Sequence, residues 1–461
     1  MYKVTIGLEI HTELLTKSKM FSTSKNNVDD APNTNINEID LSHPGTLPMP
    51  NKRAIELAIV LAKILKMKID PVLQFDRKNY FYQDLPKGYQ ITQQFHPIGT
   101  NGELNGVAIE RIHLEEDTAK QFNDSGEILL DYNRAGVPLI EIVTKPVIHS
   151  KERAIDFLTA LKQNLIFCGI SDGKMESGSL RVDLNISLAN ANDNVLGSKV
   201  EVKNINSFSN LAKAIEFEIE RQTNILNSGD KVKPATRRFD DTKYETVFMR
   251  DKGEETDYRY FTEPNIIPIN IQHLIDAMQI PKLPNEIKDE LISHNLSENI
   301  INQLLDNYEQ YKLFILVNKQ VNNPALTLTW VVVELPKILT EQKISISQLE
   351  ESTIKNFIDM LKFIQEGKIN GKQAKTILLH IIVDKQDPQT IINQHGFVQV
   401  TDENELLNKL NSIKERNIEF INANLHNIDK VKKHLMGELM KETRGQANPV
   451  VANKLLDKII N

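Results

Sequence analysis

A chain of 461 residues is long enough for about three domains at roughly 150 residues each, and its 40% hydrophobic and 25% charged content is that of an ordinary globular protein. Its formal net charge of −7 argues against a protein that binds nucleic acid over its whole surface, because phosphate recognition needs a basic field. The single cysteine, Cys168, excludes an internal disulfide framework and fits a reducing compartment. No apolar run approaches the ~18 residues of a membrane span and no charged leader precedes the first strand, so a cytoplasmic protein is expected.

The first strong pattern is "VTIGLEIHTEL" (4–14), where Val4, Ile6, Leu8 and Ile10 alternate with Thr5, Gly7, Glu9, His11 and Glu13. That period predicts a strand with Glu9 and His11 on one face. "RIHLEEDTAK" (111–120) then sets His113 close to Glu115, Glu116 and Asp117. It is either a solvated turn at a strand end or half of a site for a cation and a phosphorylated ligand. Ser150 can cap a helix with Ala154, Phe157, Leu158, Leu161 and Leu165 on one stripe, ending at Gly169. Two more strands follow: "RVDLNISL" (181–188), with the polar row Arg181, Asp183, Asn185 and Ser187, and "KVEVKN" (199–204), with Lys199, Glu201 and Lys203. Ser207 caps a second helix with Phe208, Leu211, Ile215 and Ile219 on one stripe and Gly229 as its stop.

Near "PKLPNEIKDEL" (281–291) the pattern becomes helical, and it stays so to about Asp384 with few chemical groups. A last small domain starts near "GFVQVTDENEL" (396–406). No internal repeat or low-complexity tract interrupts this order. The expected fold is α+β: a β-sheet-based cradle with flanking helices over 1–285, a helical connector over 286–395, and a small helical tail over 396–461.

If the polar rows share one sheet face, Glu9, His11, Glu115 or Glu116, Asp183 and Glu201 converge as oxygen-rich ligands with one imidazole. Such a set suits Mg²⁺ carrying a nucleotide, since Mg²⁺ is held by a few carboxylates and reaches substrate phosphates. Lys78, Arg181 and Lys203 would then neutralise phosphate oxygens, with the amides at the start of the Ser207 helix beside them. The plain alternative is a half-exposed antiparallel sheet whose wet side is polar without function. His113 reads as a structural histidine and Asp117 as a solvated or capping carboxylate. There is no G-x-x-x-x-G-K-[ST], G-x-G-x-x-G, H-E-x-x-H or serine nucleophile elbow, and Cys168, at the end of an apolar helix, reads as a core residue.

Taken together, "GLEIHTEL" (7–14), "FDRKNYFYQDLPKGYQITQ" (75–93), "RIHLEEDTAK", "DYNRAGVPLIEIVTKP" (131–146), "SDGKMESGSLRVDLNISL" (171–188), "EVKNINSFSNL" (201–211), "TDYRYFTEPNIIP" (256–268) and "GELMKETRGQANP" (437–449) resemble the B-subunit family of the aspartyl/glutamyl-tRNA(Asn/Gln) amidotransferase, over essentially the whole chain. The resemblance implies ATP-dependent phosphorylation of the side-chain carboxylate of Glu-tRNA(Gln) or Asp-tRNA(Asn), followed by attack of ammonia. It also implies an amidase (glutaminase) partner, the A subunit, that releases the ammonia from glutamine, and a small third partner, the C subunit. By resemblance, Glu9, His11, Glu115, Glu116, Asp183 and Glu201 are the Mg²⁺ candidates, and Glu9, His11, Glu116 and Lys203 the catalytic ones. Lys78, Arg181, Lys203, Asn204, Asn206, Ser207 and Phe208 are the nucleotide candidates. Lys78, Tyr80, Tyr82, Lys87 and Tyr89 either line the same pocket or pack with a polar tip, and "DYRYF" (257–261) either receives the aminoacyl end or is an ordinary strand. A non-catalytic tRNA-binding scaffold is the rival reading.

In one place the chain departs from the family. Many members carry two zinc-binding cysteine pairs in the stretch corresponding to 20–45, where this chain has Ser22, Ser24, Asn37 and Asp40. Serine and asparagine are poor ligands for structural zinc, which takes thiolates or imidazoles, so no zinc is expected and packing and turns must hold the loop. Gln83 and Thr262, where the family usually has proline, are expected to alter local backbone more than chemistry. From Lys430 onward seven Lys/Arg face three Asp/Glu. There Val431, Leu435, Met436, Leu439 and Met440 form one helical stripe stopped by Gly445, and a second helix starts at Asn448–Pro449 with Val451, Leu455, Leu456 and Ile459. Lys432, Lys433, Lys441, Arg444 and Lys454 are left outside, as a solvated basic face or, by resemblance, the grip on tRNA through backbone and shape.

Overall fold

The alternating strand at the start of the chain becomes the centre of a nine-stranded sheet. In chain order the elements that build it are β1 (Tyr2–Glu13), α1 (Lys52–Ile64), β2 (Lys68–Ile69), β3 (Gly99–Leu104), β4 (Val107–Glu116), β5 (Pro138–Thr144), α2 (Lys151–Phe167), β6 (Leu180–Asn190), β7 (Val200–Ile205), α3 (Phe208–Asn227), β8 (Ala235–Asp240) and β9 (Glu245–Asp251). Across the sheet they run β9-β8-β7-β6-β1-β5-β4-β3-β2. Every pairing is antiparallel except β7 with β8. A parallel pair needs a crossover, and α3 supplies it. The computed structural model describes residues 2–460 apart from 125, 191–194, 252–256, 294–295, 398–401, 425–426 and 444–445, with backbone alone at 449–450 and 460.

Period-2 alternation gives the sheet two unlike faces. Ile6, Leu8, Ile10, Ile112, Leu114, Ile140, Ile142, Val182, Leu184, Val200 and Val202 are buried in one core with Leu57 and Leu61 of α1, Phe157 and Leu161 of α2, and Leu211 and Ile215 of α3. Each such side chain contributes about 1.5–3 kcal/mol relative to exposure. The two expected helix starts stand: Ser150 Oγ accepts from the Arg153 amide at 3.2 Å and Ser207 Oγ from the Asn210 amide at 3.0 Å. Gly169 and Gly229 follow the helix ends with φ of +62° and +84°, a conformation open to glycine at little cost. Cys168, at the end of α2, packs partly buried against the core.

The chain forms two compact units, Met1–Ile287 and Lys288–Asn461. The second is helical throughout its described residues, which with the sheet-containing first unit makes the protein α+β. Within the second unit a separate core joins Leu406, Leu410 and Ile413 of the helix Glu403–Arg416 to Val431, Leu435 and Leu439 of Ile428–Glu442 and to Leu455 and Leu456 of Pro449–Ile460. The tail is therefore more than the expected hairpin, since the hairpin's apolar stripes are closed by a third helix. Gly445 and Arg444 lie outside the described residues.

The loop over 20–45 shows how four unpromising residues organise a turn. Asp40 accepts from Ser22 Oγ at 2.6 Å, Ser24 Oγ at 2.5 Å and the Asn37 amide at 3.0 Å. Lys19, with no exposed surface, places Nζ 3.6 Å from the same carboxylate. A buried carboxylate is the hub here, so the loop is tied by charge-assisted hydrogen bonds as well as by packing and turns.

Candidate active site

The other face of the sheet carries the polar rows, and pairing register lines them up. His113 on β4 is the Cα partner of Glu141 on β5, Glu141 of His11 on β1, and His11 of Arg181 on β6. One row away, Glu9 is opposite Asp183. The side chains meet accordingly. His11 Nε2 lies 3.4 Å from Glu115 Oε1 and 3.4 Å from Glu141 Oε2, and His113 Nε2 lies 3.2 Å from Glu141 Oε2 and 3.6 Å from Glu115 Oε2. Two sets of ligand atoms come within 4.8 Å of one another: Glu9, His11 and Glu141, and His113, Glu115 and Glu141.

Charges this close move one another's proton affinities. Burial would push both imidazoles down, but the hydrogen bonds and charges of Glu141 and Glu115 push His11 and His113 up to about 9. Burial would likewise raise Glu141, yet the two imidazoliums hold it well below the usual carboxylate range. Glu9 is raised, first by burial and then by the negative Glu141. The protonated rings thus balance carboxylates that a cation would otherwise neutralise. A donor set rich in carboxylates, with imidazole nitrogen beside it, fits a divalent cation.

Asp183 and Glu201 belong to the next group along the face. Lys203 Nζ sits 2.5 Å from Asp183 and 3.5 Å from Glu201, and Thr236 Oγ1 donates to Glu201 at 3.0 Å. Burial opposes the Lys203 charge, but Asp183 and Glu201 outweigh it and raise its pKa. Arg181 donates to Asp117 at 2.9 Å, and Arg134 approaches the same carboxylate at 3.5 Å. Asp117 is therefore buried and paired, which corrects its reading as a solvated or capping group.

Glu116 points away from this constellation. It follows Glu115 on a strand, so its side chain leaves on the opposite side; there it pairs with Lys87 and accepts from the Ile91 amide at 3.0 Å. Among the four residues at the start of α3, Ser207 is occupied by capping, Asn204 donates to the Phe239 carbonyl at 3.1 Å, Phe208 packs partly buried against the core, and Asn206 is exposed. Their side chains serve the turn and the helix, and the structure does not bring them to the carboxylates.

Glu141 is the residue that sequence reading missed, although a lone acid in "VPLIEIV" shares the strand period with Leu139 and Val143 and was open to the same alternation argument. His113, read as structural, sits inside the cluster. A cavity of about 330 Å³ beside Glu9 adds Arg111 and Lys199 to the face.

Aromatic residues rise at the margin. The strand Asp76–Asn79 pairs with Tyr89–Thr92 on one side and Phe261–Thr262 on the other, clamped by a double hydrogen bond from Arg77 to buried Glu263 at 2.6 and 3.0 Å. This brings together an edge-to-face series of rings: Tyr82, Tyr80, Tyr258, Tyr260 and Phe95, with neighbouring centroids 5.8, 5.9, 6.0 and 6.4 Å apart. Lys78 Nζ lies 4.7 Å from the Tyr258 ring centre, and Arg77 lies 4.0 Å over Tyr89. Burial raises the Tyr80 and Tyr260 hydroxyls, with Glu115 adding to the first and Glu141 to the second, so both are in electrostatic reach of the cluster.

In the tail, Lys433, Lys441 and Lys454 are exposed. Lys432 is not a free cation: its Nζ is 2.6 Å from Asp457. No described helix is long and apolar enough to cross a membrane.

Comparison with known proteins covers the chain from end to end. Residues 4–276 match the GatB/GatE catalytic domain and residues 312–460 the GatB domain. Relatives described as the B subunit of the aspartyl/glutamyl-tRNA(Asn/Gln) amidotransferase include those of Malacoplasma penetrans, 45% identical over 100% of this chain and 98% of the relative, and Ureaplasma urealyticum, 43% identical over 100% and 99%. That of Mycoplasma pneumoniae is 39% identical over 100% and 98%. The chain belongs to the family of B subunits of the aspartyl/glutamyl-tRNA(Asn/Gln) amidotransferase.

Proposed function

We propose that the chain activates the side-chain carboxylate of mischarged Glu-tRNA(Gln), Asp-tRNA(Asn) or both with ATP and converts it to the amide. The observation that carries this reading is the convergence of Glu9, His11, His113, Glu115 and Glu141 on one face, flanked by Lys203. A tRNA scaffold has no use for so many buried charges, each of which costs desolvation.

The chemistry needs a leaving group, because a carboxylate attacked directly would have to expel oxide. A carboxylate oxygen of the substrate attacks the γ-phosphorus, the bond to the β-phosphate oxygen breaks and ADP leaves. Ammonia then attacks the acyl carbon, the C–O bond to phosphate breaks, and the nitrogen loses a proton as phosphate departs. Glu9, Glu115 and Glu141 would hold Mg²⁺, with His11 joining them only on giving up its proton, and the ion would offset charge on the transferred phosphoryl group. Lys203, fixed by Asp183 and Glu201, presents a cation whose position is set before substrate arrives. Arg181, fixed by Asp117, adds a second. The ring series from Tyr82 to Phe95 offers faces and edges on which the unpaired 3′ end of the tRNA can stack. Ammonia would come from an amidase partner, the A subunit, with a small C subunit completing the complex, and the exposed tail lysines would grip tRNA phosphates.

The test is phosphate release from ATP by the chain co-expressed with those two partners, with Mg²⁺ and glutamine present. Turnover that needs Glu-tRNA(Gln) or Asp-tRNA(Asn) and yields the amidated tRNA supports the reading. Tight tRNA binding with no ATP consumed would leave the scaffold reading in its place.

A further inference from the structure

A second charged constellation lies on the other face of the sheet, beneath α3. Parallel register sets Thr236 beside Glu201 and Arg237 beside Val202. Thr236 reaches Glu201 on the polar face, so Arg237 enters the helix-covered face with Val202. There it meets Glu218 of α3, a carboxylate with no exposed surface. Glu218 accepts from Arg221 through Nε at 2.9 Å and Nη2 at 2.8 Å, from Gln222 at 2.9 Å and from Thr246 Oγ1 at 2.6 Å, while Arg237 Nε stands 3.3 Å away. Arg237 also donates to Thr246 Oγ1 and to the Thr246 carbonyl, both at 2.7 Å.

One carboxylate therefore serves two guanidiniums. Burial and then the neighbouring Arg221 lower the Arg237 pKa. Hydrogen bonds fix Nε and Nη2 of both arginines, and among the described residues no partner engages either Nη1. A cavity of about 670 Å³ opens over this pair and is lined as well by Lys231, Lys233 and the half-exposed ring of Phe248. Neither lysine has an ion-pair partner among the described residues. Two acids, Asp230 and Asp251, also line the cavity, and Asp230 accepts from Ser228 Oγ at 3.2 Å. Glu245 also acts on Arg237 from the neighbouring strand, so charge is close to balanced, and the two lysines with no ion-pair partner among the described residues are the groups left for an added anion.

We propose that this cavity binds a phosphorylated nucleotide unit, the phosphate taken by Arg221, Arg237, Lys231 and Lys233 and the base laid against Phe248. Guanidiniums held by a shared carboxylate are pre-organised for phosphate, whose several oxygens use several donors at once. An exposed aromatic ring beside them gives the base a stacking surface. Because the cavity and the carboxylate cluster are on opposite faces of the sheet, the nucleotide bound here is not the one that reacts. Its source is either a free mononucleotide or one nucleotide of a bound RNA strand.

Calorimetric titration of the full chain with 5′-AMP, adenosine, inorganic phosphate and a tRNA transcript, at low ionic strength, tests this. The variants are Lys231→Ala with Lys233→Ala, and Phe248→Ala, all at exposed side chains that leave the Glu218 network intact. For a free-nucleotide site, the double lysine variant weakens AMP and phosphate at least tenfold, Phe248→Ala weakens AMP but not phosphate, adenosine binds poorly, and tRNA affinity is unchanged. For an RNA site, tRNA displaces AMP and both variants weaken tRNA. If neither AMP nor tRNA affinity moves in either variant, the proposal is overturned.

Discussion

In the sheet of the first unit, charge is buried and shared; in the helical tail it is exposed and mostly single. His11, His113, Glu115 and Glu141 each touch at least two opposite charges, and the proton affinities of His11, His113 and Glu141 are set by one another. Lys433, Lys441 and Lys454 stand in water over a small apolar core. The first arrangement keeps atoms in set positions at the cost of desolvation; the second keeps a field and leaves positions loose. Loss of one group should therefore be abrupt in the sheet and graded in the tail.

The largest effect is expected from Glu141→Gln, which keeps shape and removes the charge shared by both imidazoles. Phosphate release from ATP should fall by about 10²–10³-fold, the range for losing one pre-organised electrostatic interaction, with tRNA affinity nearly unchanged. Retained turnover in this variant and in Asp183→Asn would break the contrast, since the buried charges would then be structural. Next in size is Asp40→Ala in the 20–45 loop. It strands a fully buried lysine and two hydroxyls, and urea titration should show a loss of about 3–5 kcal/mol, as when one partner of a buried pair is removed.

In the tail, alanine at Lys433, Lys441 and Lys454 together should weaken tRNA binding and lower the slope of log affinity against log salt by about one for each phosphate no longer neutralised, while turnover at saturating tRNA holds. A slope equal to that of the parent chain would show that these lysines are only a solvated face. The smallest change is expected from Lys432→Ala, whose cation is already paired with Asp457; its salt slope should stay closest to that of the parent chain.

How far the sequence alone could be read differs in the same way between regions. Alternation in 4–14 and 181–188 predicts which face Glu9, His11 and Asp183 occupy, because the period of a strand is a local property. Alternation also separates Glu115 from Glu116, and the structure puts Glu115 with the two histidines and Glu116 with Lys87. Capping at Ser150 and Ser207 is legible for the same reason, being decided within four residues. The side chains of Asn204, Ser207 and Phe208 have local partners in the turn, the helix cap and the core, contacts that the sequence pattern alone does not specify. Lys432 looks free in one dimension, since its partner Asp457 is on the next helix.

Sequence by itself determined the fold class, the family, the two faces of the sheet and the helix boundaries at Ser150 and Ser207, all of which follow from short-range periodicity or long ordered motifs. Only the tertiary structure decided that β5 lies between β1 and β4, and so that Glu141 bridges His11 and His113. Only it decided, too, that Asp40 gathers Ser22, Ser24 and Lys19, and that Arg221 and Arg237 share Glu218. Each of these depends on strand order or helix docking, which are set by the burial of apolar faces far apart in the chain and leave no mark in local spacing.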